Sequence, residues 1–378
     1  MNIVADENMA ALTPLFAPLG AITALPGRDI TAATVDPNTT ALLLRSVTKV
    51  NAALLDALPQ LSFVGTATIG TDHLDLAELE RRNIRWSNAP GCNAQGVGEY
   101  VLSALLCLAE SSQESLRDKT IGIVGLGNTG SAVERRLNAL GCKLMRCDPP
   151  RQQRGDAGEW HSLQQLIQHC DVLTLHVPLQ ADTFYLLDNQ QLRALAANCW
   201  LINASRGEVI NNRALVEIKQ QRPQLRLALD VWENEPTPLP ELVALADIAT
   251  PHIAGYSVEG KIRGSQMLHQ ALLQSQQQEQ PSTPSLAQLM TEAPLPTQKT
   301  PLQLTQSWLH QTCRSVYDLL AEDKLFRAAL PLGFDARRKA NLARREFSAL
   351  GLHCADSGMA QQLSELGFTL EEKINHGI

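Results

Sequence analysis

The stretch from Thr120 to Asp148, TIGIVGLGNTGSAVERRLNALGCKLMRCD, restricts the possible folds more than any other part of the chain. A run of strand character leads into Gly125, Gly127 and Gly130, which stand at G-x-G-x-x-G spacing. A helical pattern follows, and a second strand-like run ends on Asp148. The glycine spacing alone is a weak signal; a strand before it and a helix after it make it specific. Each glycine then has a physical task. Gly125 makes the tight turn, Gly127 lets a pyrophosphate approach the backbone, and Gly130 lets the helix pack close to the strand. Free N–H groups and the dipole at the helix start favour an anion there. An acid in the place of Asp148 accepts hydrogen bonds from ribose hydroxyls and repels an extra phosphate, so the expected cofactor is NAD. Arg151 and Arg154, just beyond, read as solvated loop residues.

The alternation of strand and helix extends in both directions. With DVLTLHVP, CWLINAS, RLALDVW and DIATPHI, the segments TIGIVGLG and KLMRCD make up six strand candidates. Helical text lies between most of them, which predicts a doubly wound parallel α/β sheet. Upstream, NIVA, ALLLRS, LSFVGTAT and IRWSN alternate with the helical NAALLDAL and LDLAELERR. That is a smaller parallel α/β domain. NAQGVGEYVLSALLCLAE predicts a long helix, and SVEGKIRGSQMLHQALLQS another. The polar stretch QQQEQPSTPSLAQLMTEAPLPTQKT reads as a linker or extended arm. The tail begins helical and ends as strand–helix–strand, a small α+β module in which DARRKANLARRE reads as a solvated helix face.

The chemistry sits at three strand ends. Arg206 follows LINAS, Asp230 and Glu235 follow RLAL, and His252 follows IATP. Ligands of open parallel sheets bind beyond the carboxyl ends of the strands. Arg206, Glu235 and His252 are therefore expected in one crevice. Oxidising an alcohol removes a hydride from carbon and a proton from its hydroxyl. A neutral His252 can accept that proton. Glu235 can orient the ring and stabilise the imidazolium, and Arg206 can fork onto a carboxylate. The complete set favours an enzyme over a protein that merely senses the dinucleotide. His73, His169 and His176 read as structural histidines.

Charge and cysteine usage remove other classes. The 378-residue chain is 44% hydrophobic and carries a net charge of −7. An acidic chain is a poor partner for nucleic acid or an anionic membrane surface, and an anionic substrate then needs local cations. No apolar run approaches the ~18 residues of a membrane span. The opening MNIVADEN does not resemble a signal peptide, so a cytoplasmic location is expected. The eight cysteines show no CxxC pair and no zinc spacing, which predicts reduced core thiols and no metal. One polar cluster, RSVTKVN at 45–51, closes an apolar run. It places Ser46, with Arg45 or Lys49, at the distal end of an anionic substrate; solvated charges at a helix start are the other reading.

Several strings then carry a family resemblance. NAPGCNAQGVGEYV, GIVGLGNTG, CDVLTLHVPL, LINASRGEVINNRAL, LDVWENEP and TPHIAGYS, spread in order over about residues 40 to 275, resemble the D-isomer-specific 2-hydroxyacid dehydrogenases. The resemblance implies a Rossmann NAD-binding domain (93–256) inserted in a flavodoxin-like substrate domain (1–92 and 257–280). It also implies catalytic roles for Arg206, Glu235 and His252, with a helix near 93–110 as one hinge. VADENM, RSVTKVN, FVGTATIGTDHLD, CDPPR and the tail resemble a branch of the family that oxidises a phosphorylated four-carbon hydroxy acid. That branch implies a homodimer formed through a C-terminal dimerisation domain (281–378). It further implies substrate contacts from Ser46, Thr68 and Tyr256, and an NAD site lined by Val177, Asp230 and Gly255 beside Asp148. Another member of the family, such as a phosphoglycerate dehydrogenase, stays open as the alternative.

Overall fold

Strand β3 (Ala41–Leu44) is buried along its whole length. A strand of that kind must be covered on both faces, and it is. Leu42 and Leu44 enter one apolar cluster with Leu54, Leu55 and Leu79. Ala41 and Leu43 enter another with Leu268 and Leu272. Around it lie β1 (Asn2–Asp6), β2 (Ala21–Leu25), β4 (Phe63–Thr66) and β5 (Arg85–Ser87), in the order β2-β1-β3-β4-β5. Every pairing in this sheet is parallel, and the order is that of flavodoxin-like sheets. The edge strand β2 escapes the sequence reading because AITAL is mostly exposed and lacks a buried stripe.

The computed structural model describes residues 1–276, 282–340 and 343–371. Contacts divide the chain into two units, Met1–Asn93 with Val258–Ala293 and Ala94–Ser257 with Pro294–Ile378. The first unit holds the sheet just described and the helix Val258–Ser275, whose Leu268 and Leu272 cover one face. Part of the polar stretch after that helix is ordered, contrary to the linker reading; 277–281 lie outside the described residues. A capping box between Ser285 and Gln288 starts the short helix Leu286–Leu289, and Leu289 is buried in the core.

The second unit is built on β6 (Thr120–Val124), β7 (Lys143–Cys147), β8 (Val172–Leu175), β9 (Trp200–Asn203), β10 (Arg226–Leu229) and β11 (Ile248–Ala249). These are the six predicted strands, all parallel, in the order β11-β10-β9-β8-β6-β7. The order reverses between β6 and β8, so a ligand-binding crevice belongs at their carboxyl ends. The helix Ala94–Ser112 is buried from Gly96 to Ala109. The C-terminal residues join the same core: Leu309, Leu319, Phe347, Leu363 and Phe368 pack in one cluster with Tyr100 and Val133. Their sheet is β12 (Leu295–Lys299), β13 (Leu350–His353) and β14 (Thr369–Leu370), parallel and in the order β12-β13-β14. The helix Ser357–Leu366 between β13 and β14 completes the strand–helix–strand expected of the tail.

Candidate active site

The glycine turn has the shape its sequence requires. Gly125 sits at φ +84°, where an L side chain is strained, and a Cβ there would press on the His176 carbonyl. A Cβ on Gly130 would overlap the carbonyl oxygen of Gly125. Gly127, the residue before helix Asn128–Ala139, has nothing within 4 Å of the place a Cβ would take. That open space at a helix start, with its unpaired N–H groups, fits a diphosphate. Asp148 accepts from the Leu126 N–H at 2.7 Å and from the Arg151 N–H at 3.0 Å, and so ties the end of β7 to the turn. Val177 follows β8 and lies against the turn at Gly125.

Arg151 departs from its expected place in solvent. Its guanidinium donates to the Leu126 carbonyl at 3.0 Å and to Asp156 at 2.6 Å, and lies over the Trp160 ring. It braces the glycine turn. Arg154 is the exposed one of the two.

At the end of β9, the buried Asn203 organises the bend that carries Arg206. Its amide donates to the Arg206 carbonyl at 2.8 Å and its oxygen accepts from Ser205 N–H and Oγ. Gly207 lies so close to the Trp232 backbone that a Cβ would overlap it, which fixes how near this bend comes to the one after β10. Arg206 Nη1 donates to the Ser205 carbonyl at 2.8 Å.

Beyond β10 and β11 the acid and the base meet. His252 Nδ1 and Glu235 Oε2 are 2.7 Å apart. Glu235 Oε1 also accepts from the Trp232 N–H at 3.0 Å. Burial pushes the Glu235 carboxyl up, but the His252 hydrogen bond and charge, the Trp232 N–H and the charge of Arg338 outweigh it and hold it below its ordinary value. His252 is held at φ +57°, a region a non-glycine residue occupies only when its surroundings enforce it. Asp230 supplies much of that enforcement. Its buried carboxylate accepts from the Ile253 and Ala254 N–H groups at 2.8 Å each and from the Thr250 hydroxyl at 2.6 Å. Its carbonyl accepts from the His252 N–H at 2.7 Å, and Tyr100 meets the Thr250 hydroxyl at 2.8 Å. Gly255 and Tyr256 follow, half-exposed.

The tail reaches this loop, which no sequence signal announced. Arg344 is 5% exposed, and its guanidinium donates to the carbonyls of Ile253, Ala254 and Gly96. Ser257 donates to the buried Glu346 at 2.6 Å. Arg337 forks onto buried Glu322. The run 335–346 is therefore not wholly a solvated helix face: its helix covers Phe334–Ala340, and among its described charges Arg337 is paired with Glu322 while Arg344 and Glu346 are buried.

In the first unit, Thr68 Oγ1 lies 2.7 Å from Thr66 Oγ1 and 2.9 Å from the Gly70 carbonyl, and His73 Nε2 meets Thr66 at 2.9 Å. Burial lowers the His73 pKa. Ser46 and Lys49 are exposed in the turn after β3. Arg45 is neither solvated nor open: it forks onto fully buried Asp6 at 3.0 and 3.2 Å. His176 is a buried histidine bonded to Thr174 at 2.9 Å. Seven cysteines are buried, and burial pushes the thiols of Cys107, Cys170 and Cys199 up to about 12. Among the described residues no cluster of His, Cys, Asp and Glu could hold a metal, and no helix is long and apolar enough to cross a membrane.

Comparison with known proteins agrees with this geometry. Residues 108–254 match the NAD-binding domain of the D-isomer specific 2-hydroxyacid dehydrogenases, and residues 289–367 match a domain of unknown function. An erythronate-4-phosphate dehydrogenase of Shewanella loihica is 52% identical over 98% of this chain and 99% of its own. Among solved structures, an NADPH-dependent glyoxylate/hydroxypyruvate reductase from Sinorhizobium meliloti is 26% identical with a TM-score of 0.64, over 75% of this chain and 97% of that one. A NAD-bound 3-phosphoglycerate dehydrogenase of Entamoeba histolytica shares the fold, with a TM-score of 0.62 at 21% identity over 72% of this chain and 94% of that one. With a glycine turn, an acid–base pair and a near full-length relative all in agreement, the chain belongs to the D-isomer-specific 2-hydroxyacid dehydrogenase family.

Proposed function

We propose that the protein oxidises 4-phospho-D-erythronate to 2-oxo-3-hydroxy-4-phosphobutanoate with NAD, a step of pyridoxal phosphate biosynthesis. The observation that carries the chemistry is the 2.7 Å contact between His252 Nδ1 and Glu235 on a loop held at φ +57°. With Nδ1 engaged by the carboxylate, Nε2 is the nitrogen left for the substrate. NAD, when bound, would supply the acceptor for the hydride from C2 of the hydroxy acid. His252 accepts the proton of the C2 hydroxyl at Nε2. Glu235 keeps the ring oriented and balances the imidazolium charge. Arg206 holds the substrate carboxylate through its planar fork. Gly125, Gly127 and Gly130 cradle the diphosphate, Asp148 takes the ribose hydroxyls, and Val177, Asp230 and Gly255 line the rest of the cofactor site.

Ser46, Thr68 and Tyr256 are the substrate contacts in this reading. The substrate itself is supported by the name of the 52% identical relative. A homodimer formed through the C-terminal residues is supported by the exposed Leu302, Leu325 and Leu332 there. A cytoplasmic location is supported by the burial of seven of the eight cysteines as thiols, which suits a reducing compartment.

Steady-state reduction of NAD with 4-phosphoerythronate, 3-phosphoglycerate and D-lactate side by side tests the reading. The first is expected to give the highest kcat/KM; a preference for either of the others overturns the substrate assignment.

A further inference from the structure

Helix Phe334–Ala340 carries two adjacent arginines that the fold uses differently. Arg337 is fully engaged by Glu322. Arg338 makes no hydrogen bond and no ion pair with any described residue. Its guanidinium lies 5.9 Å from the centroid of the Tyr256 ring, and its charge reaches the Glu235 carboxylate. It is half-buried, so bulk water does not fully solvate it. A guanidinium resting on an aromatic face beside an acid–base pair, with its fork unengaged, is poised for an incoming anion.

The other cations leave this role open. Of the two sequence candidates for the distal anion, Arg45 is already bound to Asp6 and Lys49 is an exposed, freely solvated ammonium with no planar fork. Arg344 is buried against backbone carbonyls. Arg206 has the carboxylate. A phosphorylated hydroxy acid carries a second anionic group of nearly two charges, and something near the base must hold it.

Resting on the functional reading above, we infer that Arg338 is a substrate-binding residue that takes the phosphate ester, so that the C-terminal residues set the choice of hydroxy acid. The guanidinium supplies paired N–H donors to two phosphate oxygens, and Tyr256 keeps its plane in place.

Arg338→Ala and Arg338→Lys test this in the full chain. The Ala variant is expected to lose about 10- to 100-fold in kcat/KM for 4-phosphoerythronate, mostly through KM. Unphosphorylated erythronate should lose far less, and Lys should restore part of the loss. Inorganic phosphate, titrated calorimetrically onto the enzyme with NADH, should bind about tenfold more weakly to Arg338→Ala than to wild type. Equal losses on both acids would mean that Arg338 acts only through the Glu235–His252 pair, and no loss on either would make it a surface residue; each overturns the inference. Wild-type inertness toward 4-phosphoerythronate would defeat the functional reading alone, because the phosphate titration still decides on Arg338.

Discussion

His252 shows how much a single side chain depends on what surrounds it. Its backbone takes a conformation that costs about 1 kcal/mol or more, sustained by the hydrogen bonds that Asp230 makes to the same loop. His252→Ala keeps that scaffold and removes the proton acceptor. Its turnover is expected to fall at least about 10²–10⁴-fold, while NAD binding followed by fluorescence quenching stays near wild type. Turnover within tenfold of wild type would remove the base from the mechanism. His176 behaves oppositely. Burial lowers its pKa to about 3 from the ordinary 6.5, so the unfolded chain binds the extra proton first as pH falls. Stability attributable to it is complete above pH 6.5 and is lost toward pH 3, at about 1.4 kcal/mol per unit. The difference in unfolding free energy between pH 7 and pH 5, from urea titrations, should therefore shrink by about 2 kcal/mol in His176→Asn relative to wild type.

At the scale of elements, the glycine turn separates packing from binding. Gly130 and Gly127 belong to one motif, yet a methyl at Gly130 meets a backbone oxygen and a methyl at Gly127 meets nothing within 4 Å. Gly130→Ala should destabilise by about 1–3 kcal/mol through overpacking. Gly127→Ala should melt within about 2 °C of wild type and still bind NAD about tenfold more weakly. Thermal melts beside NAD titrations distinguish the two; similar behaviour of both variants would mean the open space holds no phosphate.

The same elements show what could be read in advance. The six strands of the second sheet, the turn and its acid were legible because apolar runs, glycines and carboxylates have local signatures. Strand β2 was not, because an exposed edge has no such pattern. Nor was β12, hidden in text rich in Pro and Gln, which pairs in parallel with β13. Arg151 was misjudged, and the partner of Arg45 was missed, for one reason: a charge next to a loop looks unpaired unless its partner is known. Asp6 lies 39 positions from Arg45, and the Leu126 carbonyl lies 25 from Arg151.

On the scale of the whole molecule, the tail and the catalytic loop form one structure. Arg344 closes contacts 90 and more positions away, to the carbonyls that follow His252 and to Gly96 at the start of the long buried helix. Arg344→Ala would remove three donations to buried carbonyls, of which that of Ile253 keeps the Tyr256 N–H as a donor, at a cost of about 1–3 kcal/mol. Turnover should fall more than NAD affinity, since the glycine turn does not touch Arg344. Arg344→Lys, with charge but no planar fork, should lie between the two. Melting temperature, kcat and NAD affinity measured on the three proteins check this; full activity in Arg344→Ala would detach the tail from the chemistry.

The clamp also bears on how such a chain can evolve. A tail that only joined two copies could be exchanged freely between relatives, as a handle is changed on a tool. A tail whose arginine fastens the loop that carries His252 cannot. A chimaera joining residues 1–293 to a foreign C-terminal segment should bind NAD yet turn over no hydroxy acid, and activity should return when the residues corresponding to Arg344 and Glu346 are restored. Selection for the reaction therefore acts on two distant parts of the sequence as one heritable trait.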